Sequence, residues 1–245
     1  MHEAFFHLKH RPIPLPHSSW IMTQTWSNVL FMHWPVHPEA LRCFLPASLT
    51  LDLYGGAAWL GIVTFKVDGM RARGLPLLPF LHSFLQLNVR TYVLHEGVPG
   101  VYFFNLDINH LPSVFGAKVL YAVPFRKAKS DFHVNKSFHF HSTYSSDERL
   151  EELDVLYRPA SQPYFGQPGT FGHWAAERYC LFTERMNKLY RGDIHHTKWA
   201  LQKAEASIND NTVAPFLSRK YFQQEPVLHF SKVKKAFFWP LQKVH

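Results

Sequence analysis

The sequence predicts a mainly antiparallel β domain with a few short helices, closed into a barrel or a sandwich. Polar and apolar residues alternate with period two through several segments, which is typical of half-buried strands. Aromatic residues make up 16% of the 245 residues and favour pleated sheets. Closure would protect the edges of the sheet. Neither a linker nor an internal repeat divides the chain, so we expect a single domain over residues 1–245.

The N-terminal region predicts an extended arm followed by one short helix. Three prolines between residues 12 and 16 indicate that residues 1–19 are extended. Pro38 suits a first helical turn and Pro46 ends the pattern, so we expect a helix over residues 38–44.

Alternating residues predict three strands, over 57–67, 86–94 and 101–109, with a hairpin loop over 95–100. Matching the apolar rows of the last two strands predicts the register in which they pair. A register shifted by two residues would match the rows equally well. The predicted cross-strand pairs are Arg90 with Asn105, Asn88 with Asp107, and Gln86 with Asn109. One face would then carry a continuous polar ladder of Gln86, Asn88, Arg90, Asn105 and Asp107.

Further along the chain, the pattern predicts more strands and one more helix. We expect the strands over 117–123, 136–144, 178–186 and 188–196, with a turn near Asn187. Thr170 is a suitable N-cap for a short helix over 170–177.

Charge and composition exclude several classes of function. The formal net charge is +8, with basic residues concentrated in two blocks, 118–136 and 219–245. Neither block matches a nucleic-acid-binding module, so we interpret both as solvated faces and expect no nucleic-acid partner. The longest apolar stretch, 75–89, is too short and too polar for a membrane span. Without an evident signal peptide, and with only two cysteines, the chain is expected in the cytoplasm.

Motifs for metal and cofactor binding are lacking in the sequence. No phosphate-binding loop, zinc-protease motif or serine nucleophile elbow occurs. His139 and His141 would share one strand face, and His195 adjoins His196, but a metal site needs three convergent ligands. We interpret His139 and His141 as solvent-facing and predict neither a metal nor a cofactor.

The polar ladder is the candidate site, and two interpretations of it stay open. It is either an ordinary outward polar face or the lining of a cavity. In a cavity, Arg90 and Asp107 would pair, since buried charges require partners. The planar guanidinium of Arg90 would also suit a carboxylate ligand.

Four segments closely resemble the YqjF-like family of uncharacterised bacterial proteins. They read LFMHWPVHPEALRCFLPASLTLDLYGGAAWLGIVTFKVDGMRARGLPLLPFLHSFLQLNVRTYV from residue 30, GVPGVYFFNLDIN from 97, FGAKVLYAVPF from 115 and TERMNKLYRGDIHHTKWALQKA from 183. The resemblance leaves out the N-terminal arm, residues 1–19, and the region from about 206 to 245, which we interpret as a variable tail.

This family is similar, at a distance, to acetoacetate decarboxylase, which implies an antiparallel β barrel around a ligand cavity. The resemblance also implies a lysine that forms a Schiff base with a ketone. The decarboxylase residues do not carry over. Pro35 stands at the arginine position, Gln86 at the glutamate position, and Phe125 follows Pro124 where the lysine is expected. These departures argue against decarboxylation.

Lys118 is the remaining catalytic candidate, because it is central in the predicted strand 117–123. It would form a Schiff base, hold an anion, or lie in solvent on an edge strand. Our leading hypothesis is a protein that binds a small anionic ligand. Arg90 and Lys118 would supply charge, and Gln86, Asn88, Asn105 and Asp107 would complete the site.

Two alternatives to ligand binding remain open. One is a Schiff-base enzyme that uses Lys118 on a small keto acid. The other is a non-catalytic interaction protein that uses exposed aromatic residues and the basic segment 232–243. We expect no membrane partner, and the sequence leaves homo-oligomerisation open.

Overall fold

The computed structural model describes residues 2–76, 83–110 and 123–244 of the chain. These residues form mostly strands, with four short helical segments. The strands are β1 Met22–Val36, β2 Thr50–Leu51, β3 Ala58–Ala72, β4 Ser83–His95, β5 Val98–Ile108, β6 Phe125–Lys127, β7 Lys129–Val134, β8 Phe138–Ser145, β9 Leu150–Pro159, β10 Tyr164–Phe165, β11 Cys180–Arg185, β12 Lys188–His195, β13 Ala200–Asn211, β14 Val227–Phe238 and β15 Gln242–Lys243. The helices are α1 Pro38–Arg42 and α2 Phe171–Ala176, with 3₁₀ turns over Glu3–Phe6 and Arg219–Phe222. The mainly β prediction is confirmed.

Seven of these strands close into a ring. Their order is β12-β11-β5-β4-β3-β1-β14, and β14 pairs again with β12, where Ile194 lies opposite Phe238. Neighbours in the ring are antiparallel except β11 and β5, which are parallel. Closure pairs the strand edges with each other and leaves an interior that side chains of every ring strand face.

The remaining long strands cover one outer side of the ring. β13 continues from β14 and is followed by β9, β8 and β7. The largest hydrophobic cluster lies between the two layers, with Leu30, Met32 and Leu87 from the ring and Phe140 and Val155 from the cover. Each large side chain buried there contributes roughly 1.5–3 kcal/mol. The alternate residues of β1, such as Phe31, therefore point into the ring.

Bulges in the strands change the register from the predicted one. The β4–β5 pairing shifts between Val89 and Arg90, and Phe104 is the extra residue on β5. Asn88 lies opposite Leu106, and Gln86 lies opposite Ile108. Arg90 lies opposite Phe103, which is two residues from Asn105 and fits the alternative register. The predicted pairs of Asn88 with Asp107 and Gln86 with Asn109 are wrong by one residue, because a bulge reverses the alternation beyond it. The loop is also shorter than predicted, a two-residue turn over 96–97.

The backbone conformation of the turn at residues 96–97 explains why glycine occupies position 97. Glu96 and Gly97 have φ values of 49° and 77°. Both central residues of this tight hairpin turn need positive φ, which glycine adopts without a steric penalty.

Other predicted elements have the following outcomes. The helix over 170–177 is confirmed as α2, and the Thr170 hydroxyl accepts a hydrogen bond from the His173 N–H. The helix predicted over 38–44 is confirmed but ends at Arg42. The strand predicted over 117–123 lies outside the described part of the chain except for Val123, which is not in a strand.

The C-terminal region, residues 206–244, forms part of the ring and its cover, and its variability in sequence stays a prediction. β14 pairs with β1 at eleven positions, from Met22 opposite Phe238 to His33 opposite Val227. β13 pairs with β9. Most of the basic segment 232–243 therefore lies within a strand of the ring, where Lys232 and Val233 are exposed and Lys234 is buried.

The helices of the described residues are all short. The longest, α2, has six residues. In the described ranges, none has the length and apolar character needed to cross a membrane.

Candidate functional site

The interior of the ring contains a cavity of about 320 Å³. This volume is at the lower end of the roughly 300–1,000 Å³ typical of small-molecule sites. Most of its wall is apolar and aromatic: Trp26, Val29, Phe31, Val63, Phe65, Phe84, Phe103, Leu106, Ile108, Trp199 and Phe238. The cavity therefore suits a ligand with an apolar body.

Strand β4 places a polar row along this wall, consisting of Gln86, Asn88 and Arg90. Residues two apart on a strand share a face, so all three point into the cavity. Arg90 lies opposite Gly61 on β3, while the other end of β3 reaches Arg71 and Ala72. The exposed lining residues, including Arg71 and Leu75, are at that far end. Arg90 thus lies at the inner end of the cavity.

Arg90 has no carboxylate partner among the described residues. Its Nη2 donates a 3.4 Å hydrogen bond to the Tyr92 hydroxyl, and its guanidinium lies 5.7 Å from the Phe31 ring centre. The Arg90 Nε is buried without a hydrogen-bond partner, as is the Oδ1 of Asn88. Buried polar groups are normally paired, so the unpaired Nε–H of Arg90 favours a ligand that accepts a hydrogen bond there.

A hydrogen-bonded histidine positions the arginine. The Tyr92 hydroxyl is 2.6 Å from His33 Nε2. Burial, followed by the nearby charge of Arg90, lowers the pKa of His33 well below its usual value. The neutral imidazole accepts the proton of Tyr92, whose oxygen then accepts from Arg90. A Cβ at Gly61 would approach Arg90, His33 and Tyr92 to 3.3 Å each, so glycine leaves the space for this cluster.

A second arginine of the lining, Arg178, already has its partners. Its Nη1 donates to Asp52 Oδ2 at 2.5 Å, and its Nε donates to the Trp174 carbonyl at 2.7 Å. Burial lowers the pKa of Arg178, and the charge of Asp52 opposes that shift. Arg178 therefore fastens helix α2 over the inner end of the cavity, whereas Arg90 keeps an unbalanced charge.

The wall on the side of β12 contains His196, Trp199 and, from β1, Trp26. The buried His196 donates from Nδ1 to the Thr197 carbonyl at 2.9 Å. Trp26 donates from Nε1 to Gln24 Oε1 at 2.8 Å. Behind Trp199, the buried Lys234 donates to Thr197 Oγ1 at 3.1 Å and to the Lys198 carbonyl at 2.5 Å. Burial lowers the pKa of Lys234 to about 8.

The structure brings together three of the predicted site residues and separates the others. Gln86, Asn88 and Arg90 share the cavity wall, and their binding roles stay predictions. Asn105 and Asp107 lie on the opposite face of β5, because the bulge at Phe104 reverses its alternation. Lys118 lies outside the described residues.

The predicted pairing of Arg90 with Asp107 is therefore not formed. Asp107 accepts hydrogen bonds from Arg126 Nε at 2.7 Å and Nη2 at 2.9 Å. Asn105 donates to the Val213 carbonyl at 3.1 Å. Asn105 therefore bonds to the segment that follows β13, and Asp107 is joined through Arg126 to Glu151 of the cover strand β9.

Sequence reasoning missed Trp26, Arg178, His196 and Trp199. The adjacent histidines carried a usable signal, since neighbouring residues near the end of a strand point to opposite sides. His139 and His141 instead face acidic residues on the outer side, at 2.7 Å from Asp154 and 2.8 Å from Glu152 respectively. Within the described ranges, no three side chains are arranged to hold a metal ion.

Residues 23–235 match the model of the DUF2071 family of uncharacterized conserved proteins. The chain belongs to this family. It is 40% identical over 231 residues to the uncharacterized protein YqjF of Bacillus subtilis (strain 168), which covers 94% of this chain and 96% of the relative. The resemblance seen in the sequence is thereby confirmed.

Solved structures of acetoacetate decarboxylase-like proteins share the fold. The enduracididine biosynthesis enzyme MppR complexed with pyruvate matches with a TM-score of 0.64 and 14% identity, covering 95% of this chain and 91% of that one. Acetoacetate decarboxylase from Legionella pneumophila matches with a TM-score of 0.61 and 10% identity over 96% and 93% of the two chains. An acetoacetate decarboxylase-like enzyme from Sphingomonas wittichii RW1 matches with a TM-score of 0.62 and 11% identity, covering 98% of this chain and 99% of that one. At these identities the likeness shows the fold.

Proposed function

We propose that this protein binds a small organic acid inside the ring, with the carboxylate of the acid against Arg90. The observation that carries the proposal is the lack of any described counter-ion for Arg90 at the inner end of an apolar cavity. A buried guanidinium is stabilised by an anion, and its planar donor groups match the two oxygens of a carboxylate.

The other polar groups fit the same ligand. The amide of Asn88 is two residues from Arg90 on the same face, and its Nδ2 donates where a carboxylate oxygen accepts. At the opposite end, the exposed Arg71 lines the mouth. Together with the net charge of +8, this cation favours the approach of anions.

A structural neighbour supports the choice of ligand class. MppR, which shares the fold, is known in complex with pyruvate, a small carboxylate. The proposal extends that chemistry, by analogy, to a protein whose cavity has a different lining.

Binding is a better proposal than decarboxylation. Gln86 stands where the family resemblance implies a glutamate, and an amide cannot transfer protons as a carboxylate does. The cations of the described lining are arginines, which stay protonated and do not form Schiff bases. The Schiff-base alternative rests on Lys118. It is tested by borohydride trapping with small keto acids, in which an adduct on Lys118 would support it.

The binding proposal is tested by calorimetric titration of the protein with a panel of small carboxylic acids and their neutral amides. We expect acids to bind and their amides to bind at least tenfold more weakly, because only the acid pairs with Arg90. Arg90→Gln should weaken acid binding by about 10- to 100-fold. Arg158→Gln is the matched control, since Arg158 is exposed on the cover strand β9. Acids that bind the Arg90→Gln variant equally well would refute the proposal.

We also propose a bacterial, cytoplasmic setting. The relative YqjF is from Bacillus subtilis, and both cysteines, Cys43 and Cys180, are free thiols. Homo-oligomerisation stays a prediction, and sedimentation of the purified protein tests it.

A further inference from the structure

The cavity wall between Arg90 and His196 is continuously aromatic. Arg90 lies 5.7 Å from the centre of the Phe31 ring. Phe31 meets Trp199 edge to face, with 5.0 Å between ring centres, and Trp199 meets His196 at 5.2 Å. Trp26 lies almost parallel to Trp199, at an angle of 11°. Such walls offer both ring faces and ring edges to a flat ligand.

His196 ends this wall with a hydrogen-bond acceptor. A carbonyl oxygen can only accept, so the bond from His196 to the Thr197 carbonyl fixes the proton on Nδ1. Burial, together with Lys234 and His195, lowers the pKa of the His196 imidazole well below its usual value. The ring is neutral, and Nε2 keeps its lone pair. No described residue donates a hydrogen bond to that atom.

Two neighbouring donors, Trp26 and Lys234, are already used, which leaves His196 Nε2 for a ligand. The indole N–H of Trp26 donates to Gln24, and the ammonium of Lys234 donates to Thr197 and Lys198. An aromatic ligand that reaches His196 from Arg90 therefore meets a donor at one end and an acceptor at the other. A neutral hydroxyl suits this acceptor better than an ammonium group, which would lose more hydration in an apolar cavity.

We infer that the ligand is a hydroxyaryl carboxylic acid, whose carboxylate pairs with Arg90 and whose hydroxyl donates to His196 Nε2. This inference rests on the proposed function and narrows its ligand to one chemical class. The aromatic ring of the ligand lies against Phe31 and Trp199, and the amide of Asn88 completes the carboxylate site.

Matched ligands test the inference without any change to the protein. The probes are 4-hydroxyphenylacetate and 3-(4-hydroxyphenyl)propanoate, each compared by calorimetry with its unsubstituted and its 4-methoxy analogue. We expect the hydroxyl compound of at least one series to bind about tenfold more tightly than both analogues, because neither analogue donates a hydrogen bond.

Variants then locate the acceptor. In His196→Phe, the hydroxyl compound and its unsubstituted analogue should bind equally, whereas Arg90→Gln should weaken both. His139→Phe is the matched control, because His139 lies on the outer side, and it should keep the tenfold preference. Circular dichroism checks that each variant is folded. If His196→Phe does not fold, the ¹⁵N resonance of His196 Nε2 replaces it, and it should shift with the hydroxyl compound alone.

Three results would overturn the inference, and they have different meanings. Arg90-dependent binding with no hydroxyl preference in either series would refute the hydroxyaryl ligand but leave acid binding intact. A preference that persists in His196→Phe would show that another group accepts the hydroxyl. If no acid of any kind binds, the proposed function fails as well.

Discussion

Arg90 and Arg126 are both half-buried arginines, yet their surroundings are opposite. Arg126 donates to both oxygens of Asp107 and, at 2.8 Å, to Glu151. Its guanidinium also lies 3.8 Å from the centre of the Tyr144 ring. Its charge is fully balanced, so Arg126 contributes to the fold, while Arg90 remains available to a ligand.

Replacing Arg126 should therefore destabilise the protein in a pH-dependent way. Arg126→Met leaves the buried Asp107 without its cation and leaves Glu151 with the exposed Arg149 alone. We expect a loss of about 3–5 kcal/mol in the free energy of unfolding at pH 8. Burial already raises the pKa of Asp107 in the folded protein. Removing Arg126 raises it further, so the folded state holds the proton more tightly than the unfolded state. The loss should accordingly be smaller at pH 5.

Urea unfolding at the two pH values measures this difference. Arg158→Met is the control, because the pair of Arg158 with Glu205 is exposed and should contribute less than about 1 kcal/mol. An equal loss at pH 5 and pH 8 would contradict the role given to the buried acids.

Tyr92→Phe tests how Arg90 is positioned. The variant removes the hydroxyl that joins Arg90 to His33, and it leaves the buried His33 Nε2 without its donor. We expect a loss of about 1–3 kcal/mol in the free energy of unfolding. Acids should also bind several-fold more weakly, as measured by calorimetry. Tyr190→Phe, on the distant strand β12, should change neither quantity. Unchanged acid affinity in Tyr92→Phe would remove the positioning role.

At the scale of elements, the N-terminal segment 2–20 is fastened to the end of β12. Arg11 Nη1 donates to the Ile194 carbonyl at 2.6 Å, and His195 Nε2 donates to the Ala4 carbonyl at 2.8 Å. His10 bonds to the His196 carbonyl at 3.0 Å. The arm predicted as extended over residues 1–19 contains a 3₁₀ turn over Glu3–Phe6, because the His2 side chain caps it, and the segment forms a strap beside the strand that leads to His196.

Loss of Arg11 should loosen this strap. In Arg11→Ala, amide hydrogen exchange of residues 3–13 should rise at least tenfold, while β4 stays protected, because the strap and the ring share few other hydrogen bonds. Mass spectrometry of the exchanged protein measures both regions. Lys9→Ala serves as the control, since Lys9 is exposed in the same segment. Unaltered exchange in residues 3–13 would show that apolar contacts alone hold the strap.

Local alternation predicted the strands whose pattern is unbroken and failed where a bulge intervenes. β3, β4 and β5 were predictable because polar and apolar residues alternate along them. In β1 the bulge at Asn28, with a φ of 53°, interrupts that alternation and conceals the strand. The basic composition of β14 predicts a solvated tail, because composition does not reveal that Lys234 is buried.

The sequence predicts which residues of the candidate site share a face on one strand only, β4. Gln86, Asn88 and Arg90 share a face whatever strand lies beside them, because strand geometry dictates it. Asn105 and Asp107 depend on the pairing between strands, which the bulge at Phe104 shifts. His196 joins the cavity wall that contains Gln86, Asn88 and Arg90 only through the closure of the ring, and no local pattern encodes that arrangement.

At the scale of the whole molecule, buried neutral histidines make the fold sensitive to acid. Burial lowers the pKa of both His195 and His229 to about 4. An unfolded histidine titrates near pH 6.5. The contribution of these histidines to the free energy of unfolding is therefore fully present above pH 6.5. It falls as the pH decreases toward 4, by up to about 1.4 kcal/mol per pH unit for each histidine.

Urea unfolding between pH 7.5 and pH 4 measures the decline. His229→Phe should make it shallower, because this variant removes one group that binds a proton on unfolding. His133→Phe, at an exposed position of β7, should leave the slope unchanged. A slope that is identical in His229→Phe would contradict the burial of a neutral imidazole at that position.

The pairing of β1 with β14 also determines when the chain can fold during its synthesis. Met22 finds its partner in Phe238, so a ribosome must release nearly the whole polypeptide before the two can meet. Contacts this distant in sequence form slowly. A nascent chain that stops before Val227 exposes β1 as an open edge, a template for aggregation. Truncated translation products of this protein should therefore depend on chaperones, and they cannot enclose a ligand.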